Sequence, residues 1–199
     1  MLYTCLTSLV LASASPRRQK MLQDIGLQFD VVPAEVDEAP DRDELPKHFV
    51  SRLAGDKAVA VARNHPHSWV LAADTVVVSN HRILGKPENR EDAFATLAEL
   101  AGNRHQVWTG YCICNAGGEI RRQSAIVTEV LFAACPETIL HSYVRTGEPL
   151  DKAGAYGIQG LGGSLVREIH GSYSNVVGLP LAEVLADLLE LEIITAAQQ

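Results

Sequence analysis

SLVLASASPRRQKMLQDIG, Ser8–Gly26, runs from an apolar segment through a serine and a proline into a helical pattern. Residues 8–13 are expected as a strand and 16–25 as a helix. Ser15 suits the N-cap, and Pro16 suits the first helical position, where a missing N–H is no loss. A strand feeding a helix through a tight turn is the building unit of α/β folds. The charge in this unit is unusual. Arg17 and Arg18 fall in the first helical turn, where the helix dipole disfavours each by about 0.3–1 kcal/mol. The free N–H groups of the same turn attract anions. The pair reads either as two solvated surface arginines or, together with the dipole, as a cradle for one anion. The glycines and the Lys-Ser/Thr pair of a P-loop are absent, which excludes that motif.

Working outward, strand-like and helical patterns alternate. FDVVPAEV is expected as a second strand, residues 45–63 as a long helix, and SWVLAADTVVVS as a central strand. NREDAFATLAELAG reads as a helix stopped by Gly102. HQVWTGYCICNAGGEIRRQSAIVTEVLFA reads as a hairpin of two long strands turned at Gly117 and Gly118. A helix opened by Pro136, a glycine-rich loop, a strand-like SLVREI and a last helix through LAEVLADLLELE follow. The expected class is α/β, with a mixed, mainly central twisted sheet flanked by helices. Residues 1–199 are expected as one domain with a frayed tail from about residue 193.

The chain carries 24 Asp and Glu against 17 Lys and Arg, a net charge of −7, which argues against a nucleic-acid polymer as partner. No apolar run is long enough to cross a membrane. Ala12-Ser13-Ala14 resembles the end of a secretory leader, but no Lys or Arg precedes the apolar run. The segment is therefore expected as a strand of the mature protein. Cys112 and Cys114 sit two apart in an expected strand and point to one face. Their spacing fits neither zinc nor a Cys-x-x-Cys pair, and the four cysteines are expected as reduced thiols in the cytoplasm.

Three further places break local rules. In LPKHFVSRLAGDKAVAVARNH, residues Phe49, Val50, Leu53, Ala54, Ala60 and Val61 share a face, and Lys57 projects into its middle. A central lysine either reaches past small alanines to water or meets an anionic partner. In VLAADTVVV, Asp74 interrupts an apolar strand, where a carboxylate is costly unless paired, hydrogen-bonded or bound to metal. The end of a central α/β strand is also where ligands bind. DKAGAYGIQGLGG packs five glycines around Asp151, Lys152, Tyr156 and Gln159, which suits backbone that must approach a ligand closely. Weaker signals are Lys86 in the turn ILGKP and Glu38 in the acidic run EVDEAPDRDE, a second carboxylate available to a metal.

Four cations (Arg17, Arg18, Lys57, Lys86) and two carboxylates (Glu38, Asp74) in an acidic chain fit a small polyanion with a divalent metal, best a nucleoside triphosphate with Mg²⁺. Hydrolysis then needs a positioned water and a stabilised departing phosphate.

LASASPRRQKML, AEVDE, LAADTVVV, ILGKP, HQVWTG, DKAGAYGIQG and GSYSNVVGLPL, in this order from about Leu9 to Leu181, resemble the Maf family of nucleoside triphosphate pyrophosphatases. DKAGAYGIQG is similar to the subgroup acting on dTTP and UTP. The resemblance implies a Maf/ITPase-like fold with a cleft between two lobes. It also implies cleavage between the α and β phosphates, Mg²⁺ or Mn²⁺ as cofactor, a homodimer, and a role in nucleotide-pool housecleaning and cell-division arrest. It makes Asp74 the proton acceptor, Arg17, Thr75 and Gln159 the determinants of substrate choice, and Glu38 with Asp74 the metal carboxylates. Ser15, Arg17, Arg18, Lys57, Lys86 and Lys152 are the phosphate-side residues. Asp74 as base and Asp74 as metal ligand both remain open, because a bound cation lowers a carboxylate's basicity. Gln159 suits a pyrimidine, since its amide both donates and accepts, and modified pyrimidines should be only modestly excluded. Two other readings are a nucleotidyltransferase and a nucleotide-sensing regulator without turnover.

Overall fold

The structure, a computed structural model, describes residues 2–197. Its centre is a mixed sheet of seven strands flanked by helices. In chain order the sheet uses β2 (Leu9–Leu11), β3 (Asp30–Val31), β4 (Trp69–Ser79), β5 (Arg82–Leu84), β6 (Arg104–Cys114), β7 (Ile120–Phe132) and β8 (Val166–His170). The spatial order is β3-β2-β4-β6-β7-β8, with β5 pairing β4. A separate two-stranded sheet joins β1 (Tyr3–Cys5) to β9 (Ile194–Ala196). The chain divides into two compact units, one of residues 1–74, 109–126 and 178–199, the other of 75–108 and 127–177.

In the first unit β2 runs parallel to both β3 and β4, with Leu11 opposite Val31 on one side and Leu71 on the other. The leader-like segment is thus an inner strand with Leu9, Val10 and Leu11 buried. Helices α1 (Pro16–Asp24) and α2 (Pro46–Ala62) belong to this unit. Its core joins Val10, Ala12, Val70 and Ala72 of the sheet region to Ala54, Ala58, Val61 and Ala62 of α2. The small side chains let the helix lie close to the strands. At Gly110 of β6 an added Cβ would come within 2.2 Å of the Val50 carbonyl oxygen, so only glycine fits there. Cys112 and Cys114 share this core as free thiols, as expected, with Sγ atoms 4.0 Å apart.

The second unit holds α3 (Arg90–Leu100), α4 (Glu137–Arg145), three 3-10 turns between Glu148 and Leu165, and the short helix α5 (Tyr173–Val177). Asn89 caps α3 by accepting from the Asp92 N–H at 2.9 Å, and Glu91 and Asp92 complement the dipole. Asn80 and His81, both at positive φ, form the two-residue turn that brings β5 back antiparallel on β4. The core joins Val77, Leu97, Leu100, Phe132, Leu140, Tyr143 and Tyr156. His105 lies in it, 3% exposed, with Nε2 2.8 Å from the Tyr156 hydroxyl and its ring edge-on to Phe132. Burial alone pulls the His105 imidazole from 6.5 to about 4.

Three expectations change. The second strand shrinks to Asp30–Val31, because Pro33 has no N–H for a ladder and this edge is exposed. The segment from residue 193 is not frayed up to Ala197. Ile193 and Ile194 are buried, and Ile194–Ala196 pairs antiparallel with Tyr3–Cys5; residues 198 and 199 lie outside the described residues. The last helix, α6 (Leu181–Glu190), is preceded by α5, which the polar GSYSN pattern concealed. The turn at Gly117 and Gly118 forms as expected, with Asn115 Oδ1 accepting from the N–H groups of Gly117 and Glu119.

Candidate active site

Ser15, Arg17, Arg18, Glu38, Lys57 and Asp74 belong to the first unit. Strand β4 explains Asp74. Of its eleven positions only Trp69, Asp74 and Thr75 are not buried, so the carboxylate interrupts an otherwise dry strand. Its partner is Lys57, 8% exposed on α2, whose Nζ donates to Asp74 Oδ1 at 2.7 Å. The same ammonium lies 2.5 Å from Glu38 Oε1. Of the two readings for a lysine in the middle of an apolar face, the structure takes the anionic partner. Ala58 and Ala62 complete the buried face of α2 in place of Ala60, which is half-buried.

Asp74 and Glu38 thus converge on one point. Their two oxygens on Lys57 lie no more than about 5 Å apart, a separation that a hard cation with 2.0–2.6 Å oxygen contacts can bridge. Among the described residues no group of three or more His, Cys, Asp or Glu side chains gathers for a metal. Two carboxylates suit a cation of the Mg²⁺ type, which takes its remaining ligands from water and substrate phosphates.

Arg18 is committed to the protein. Its Nε donates to the Gly178 carbonyl at 2.7 Å, and one terminal nitrogen donates to the Ala73 carbonyl at 2.8 Å and Ser13 Oγ at 3.1 Å. It therefore braces the backbone immediately before Asp74. Burial lowers the Arg18 guanidinium, the charges of Asp74 and Glu38 work against that, and Arg17 works with it. Ser15 sits at the N-cap of α1, but its side chain makes no capping hydrogen bond. Its N–H donates to Ser13 Oγ at 3.2 Å instead. No acidic residue occupies the first turn of α1, and Arg17 is half-buried there. Ser13 and Gly178, which anchor Arg18, were not singled out from sequence, since a serine and a glycine carry no charge signal.

Thr75, Lys86, Lys152 and Gln159 belong to the second unit. Thr75 is half-buried, while Lys86 and Gln159 are exposed. Lys152 Nζ donates to the Glu148 carbonyl at 2.7 Å and to Asp151 Oδ1 at 2.6 Å, so its charge is met locally. Sequence reasoning missed Glu148. Its carboxylate accepts from Tyr143 Oη at 2.9 Å, Leu161 N at 2.9 Å and Gly162 N at 3.1 Å. Burial pushes this carboxyl up, but the backbone N–H groups of Gly162 and Leu161, the Tyr143 hydroxyl and the Lys152 charge together hold it below 4.5. A lone glutamate in GEPLDK gave no sign of this role, because its partners are backbone groups brought close only by the folded loop.

A mixed α/β sheet whose strand β4 carries Asp74, bridged by Lys57 of α2 to Glu38 of the preceding loop, defines the class. Residues 8–191 match the family model described as Maf-like protein, and the chain belongs to the Maf family. It is 48% identical over 194 residues to a dTTP/UTP pyrophosphatase of Desulfotalea psychrophila, covering 98% of this chain and 100% of that one. It is 51% identical over 181 residues to a dTTP/UTP pyrophosphatase of Anaeromyxobacter dehalogenans, covering 89% and 91%. The Staphylococcus aureus Ham1 protein superposes with a TM-score of 0.55 at 15% identity, over 93% of this chain and 99% of that one, and shares the fold. Among the described residues no helix is long and apolar enough to cross a membrane.

Proposed function

We propose that this protein hydrolyses dTTP and UTP to the nucleoside monophosphate and pyrophosphate. The carrying observation is the half-buried Asp74 carboxylate, held by Lys57 Nζ at 2.7 Å at the point where Glu38 also converges. The names of the relatives, which span nearly their full length against this chain, support the substrate class.

In the reaction, water oxygen bonds to the α-phosphorus, the bond from that phosphorus to the bridging oxygen breaks, and pyrophosphate leaves. Asp74 accepts the proton of the attacking water, and Lys57 keeps its carboxylate oriented. Arg18 holds the Ala73 carbonyl and so fixes the backbone from which Asp74 projects. Arg17, the first turn of α1 and Lys86 neutralise phosphate oxygens. Glu38 would hold Mg²⁺ or Mn²⁺, with Asp74 as second ligand in the alternative in which it does not serve as the base. When bound, the cation supplies further charge neutralisation to the triphosphate. Gln159 reads the base edge, with Arg17 and Thr75 contributing to substrate choice.

A panel of canonical and modified nucleoside triphosphates with Mg²⁺, products resolved by chromatography, tests the reading. dTTP and UTP should give pyrophosphate fastest, and Asp74→Asn should remain folded with turnover reduced at least about 10²-fold. GTP as the best substrate, or full turnover by Asp74→Asn, overturns it. The homodimer and the cytoplasmic location belong to the same proposal, and analytical ultracentrifugation and cell fractionation test them.

A further inference from the structure

The loop that carries Gln159 is built on one carboxylate. Three of its glycines lie hard against side chains of the protein. An added Cβ at Gly160 would lie 2.5 Å from Glu148 Oε2, one at Gly162 2.4 Å from Tyr143 Oη, and one at Gly157 2.7 Å from Lys152 Cε. The same backbone that suits close approach to a ligand is wrapped directly onto Glu148, Tyr143 and Lys152.

The hydrogen bonds follow the same plan. Glu148 Oε1 accepts from Tyr143 Oη and the Gly162 N–H, and Oε2 accepts from the Leu161 N–H. The Tyr143 hydroxyl in turn accepts from the Gly157 N–H at 3.1 Å. Gln159 stands between these anchored positions, exposed and at the tip of the Gly157–Gly160 turn, which a 3.2 Å backbone hydrogen bond closes.

We propose that Glu148 is a positioning residue for base recognition: with Tyr143 it clamps both ends of the turn that presents Gln159. The inference rests on the reading of Gln159 as the residue that contacts the base. Selectivity by hydrogen bonding needs the amide held in one orientation, because a mobile amide satisfies a wrong base as readily as the right one. Glu148 and Tyr143 act on the loop through the backbone N–H groups of Gly157, Leu161 and Gly162, so the effect is expected on binding of the base rather than on bond cleavage.

Glu148→Gln is the informative substitution. It conserves shape but offers one acceptor oxygen and an amide N–H in place of two acceptors. The N–H of Leu161 or Gly162 then faces a donor. The expected result is faster amide exchange at Leu161 and Gly162 and a KM for dTTP and UTP raised about tenfold. The preference for pyrimidine over purine triphosphates should fall about tenfold, with kcat changed less than about threefold. Tyr143→Phe, which leaves the carboxylate bonds to Leu161 and Gly162 in place, should give a smaller change in the same direction. Gln159→Ala separates the two levels. If Gln159→Ala loses selectivity while Glu148→Gln keeps it, the clamp is overturned and the base-contact reading stands. If Gln159→Ala keeps selectivity, the base-contact reading falls and takes the clamp's role in recognition with it. Unchanged amide exchange in Glu148→Gln overturns the clamp directly.

Discussion

Lys57 makes two ion pairs of nearly equal length, and their surroundings should make them unequal in energy. The Asp74 pair is 2.7 Å long, with side chains 11% and 13% exposed; the Glu38 pair is 2.5 Å long, but Glu38 is 60% exposed. Coulomb attraction at these distances is similar for both, so solvent decides. The Asp74 pair should couple by about 2–3 kcal/mol, because removing either partner strands a charge in a mostly dry site. The Glu38 pair should couple by about 0.2–1 kcal/mol, as exposed pairs do. Double-mutant cycles of Lys57→Met with Asp74→Asn and with Glu38→Gln measure both terms by urea unfolding. A Trp108→Phe background leaves Trp69, in β4 of the first unit, as the only tryptophan, so fluorescence reports on the unit that contains the site. Lys57→Met also leaves two carboxylates converging without their ammonium. Added Mg²⁺ or Mn²⁺ should therefore raise the unfolding midpoint of the variant more than that of the wild type, reaching about 2.7 kcal/mol at one hundred times the dissociation constant. A Glu38 coupling equal to or above the Asp74 coupling would refute the reasoning.

Burial of His105 predicts a pH dependence. Its folded value of about 4 lies below the unfolded 6.5, so its contribution is full above pH 6.5 and is lost as pH falls toward 4, by up to about 3 kcal/mol. Urea titrations between pH 5 and 6.5 should show stability rising with pH, and His105→Leu should flatten that slope. Gly110→Ala should destabilise by at least about 2 kcal/mol, because the new methyl meets the Val50 carbonyl of α2 at 2.2 Å; an unchanged urea midpoint would contradict the packing. Arg18→Lys keeps the charge but loses the fork that joins Gly178, Ala73 and Ser13. A loss of kcat of about tenfold or more with an unchanged circular dichroism spectrum is expected, and full activity would show that the brace behind Asp74 is dispensable.

Much of the fold was legible where periodicity is long and capping is local. The inner strand after Ser8, α2, β4, the hairpin β6–β7 and the last helix all carry patterns that neighbouring residues alone produce. The short pieces were not legible. Strands β1, β5 and β9 have three residues each, too few to show alternation; β1 and β9 exist because each supplies the other's hydrogen bonds from the far end of the chain, and β5 because a two-residue turn folds it back on β4. Asp74 and Lys57 stood out because each places a charge where its own element is apolar. Glu148 did not, because a glutamate beside a loop looks solvated until the loop folds over it.

By itself, the sequence determined the class of the protein, its family and the residue types able to handle a triphosphate. These follow from local pattern and motif order, and the strand-turn-helix of Ser8–Gly26 was sufficient to begin that reading. Tertiary structure alone decided which charges meet. It set Lys57 between Asp74 and Glu38, turned Arg18 inward onto three protein acceptors, and made the glycine loop a wrapping for Glu148 and Tyr143. The physical reason is distance along the chain. Glu38, Lys57 and Asp74 are separated by stretches of 18 and 16 residues. The energy of a charge depends on partners and solvent that only the packed chain brings to it.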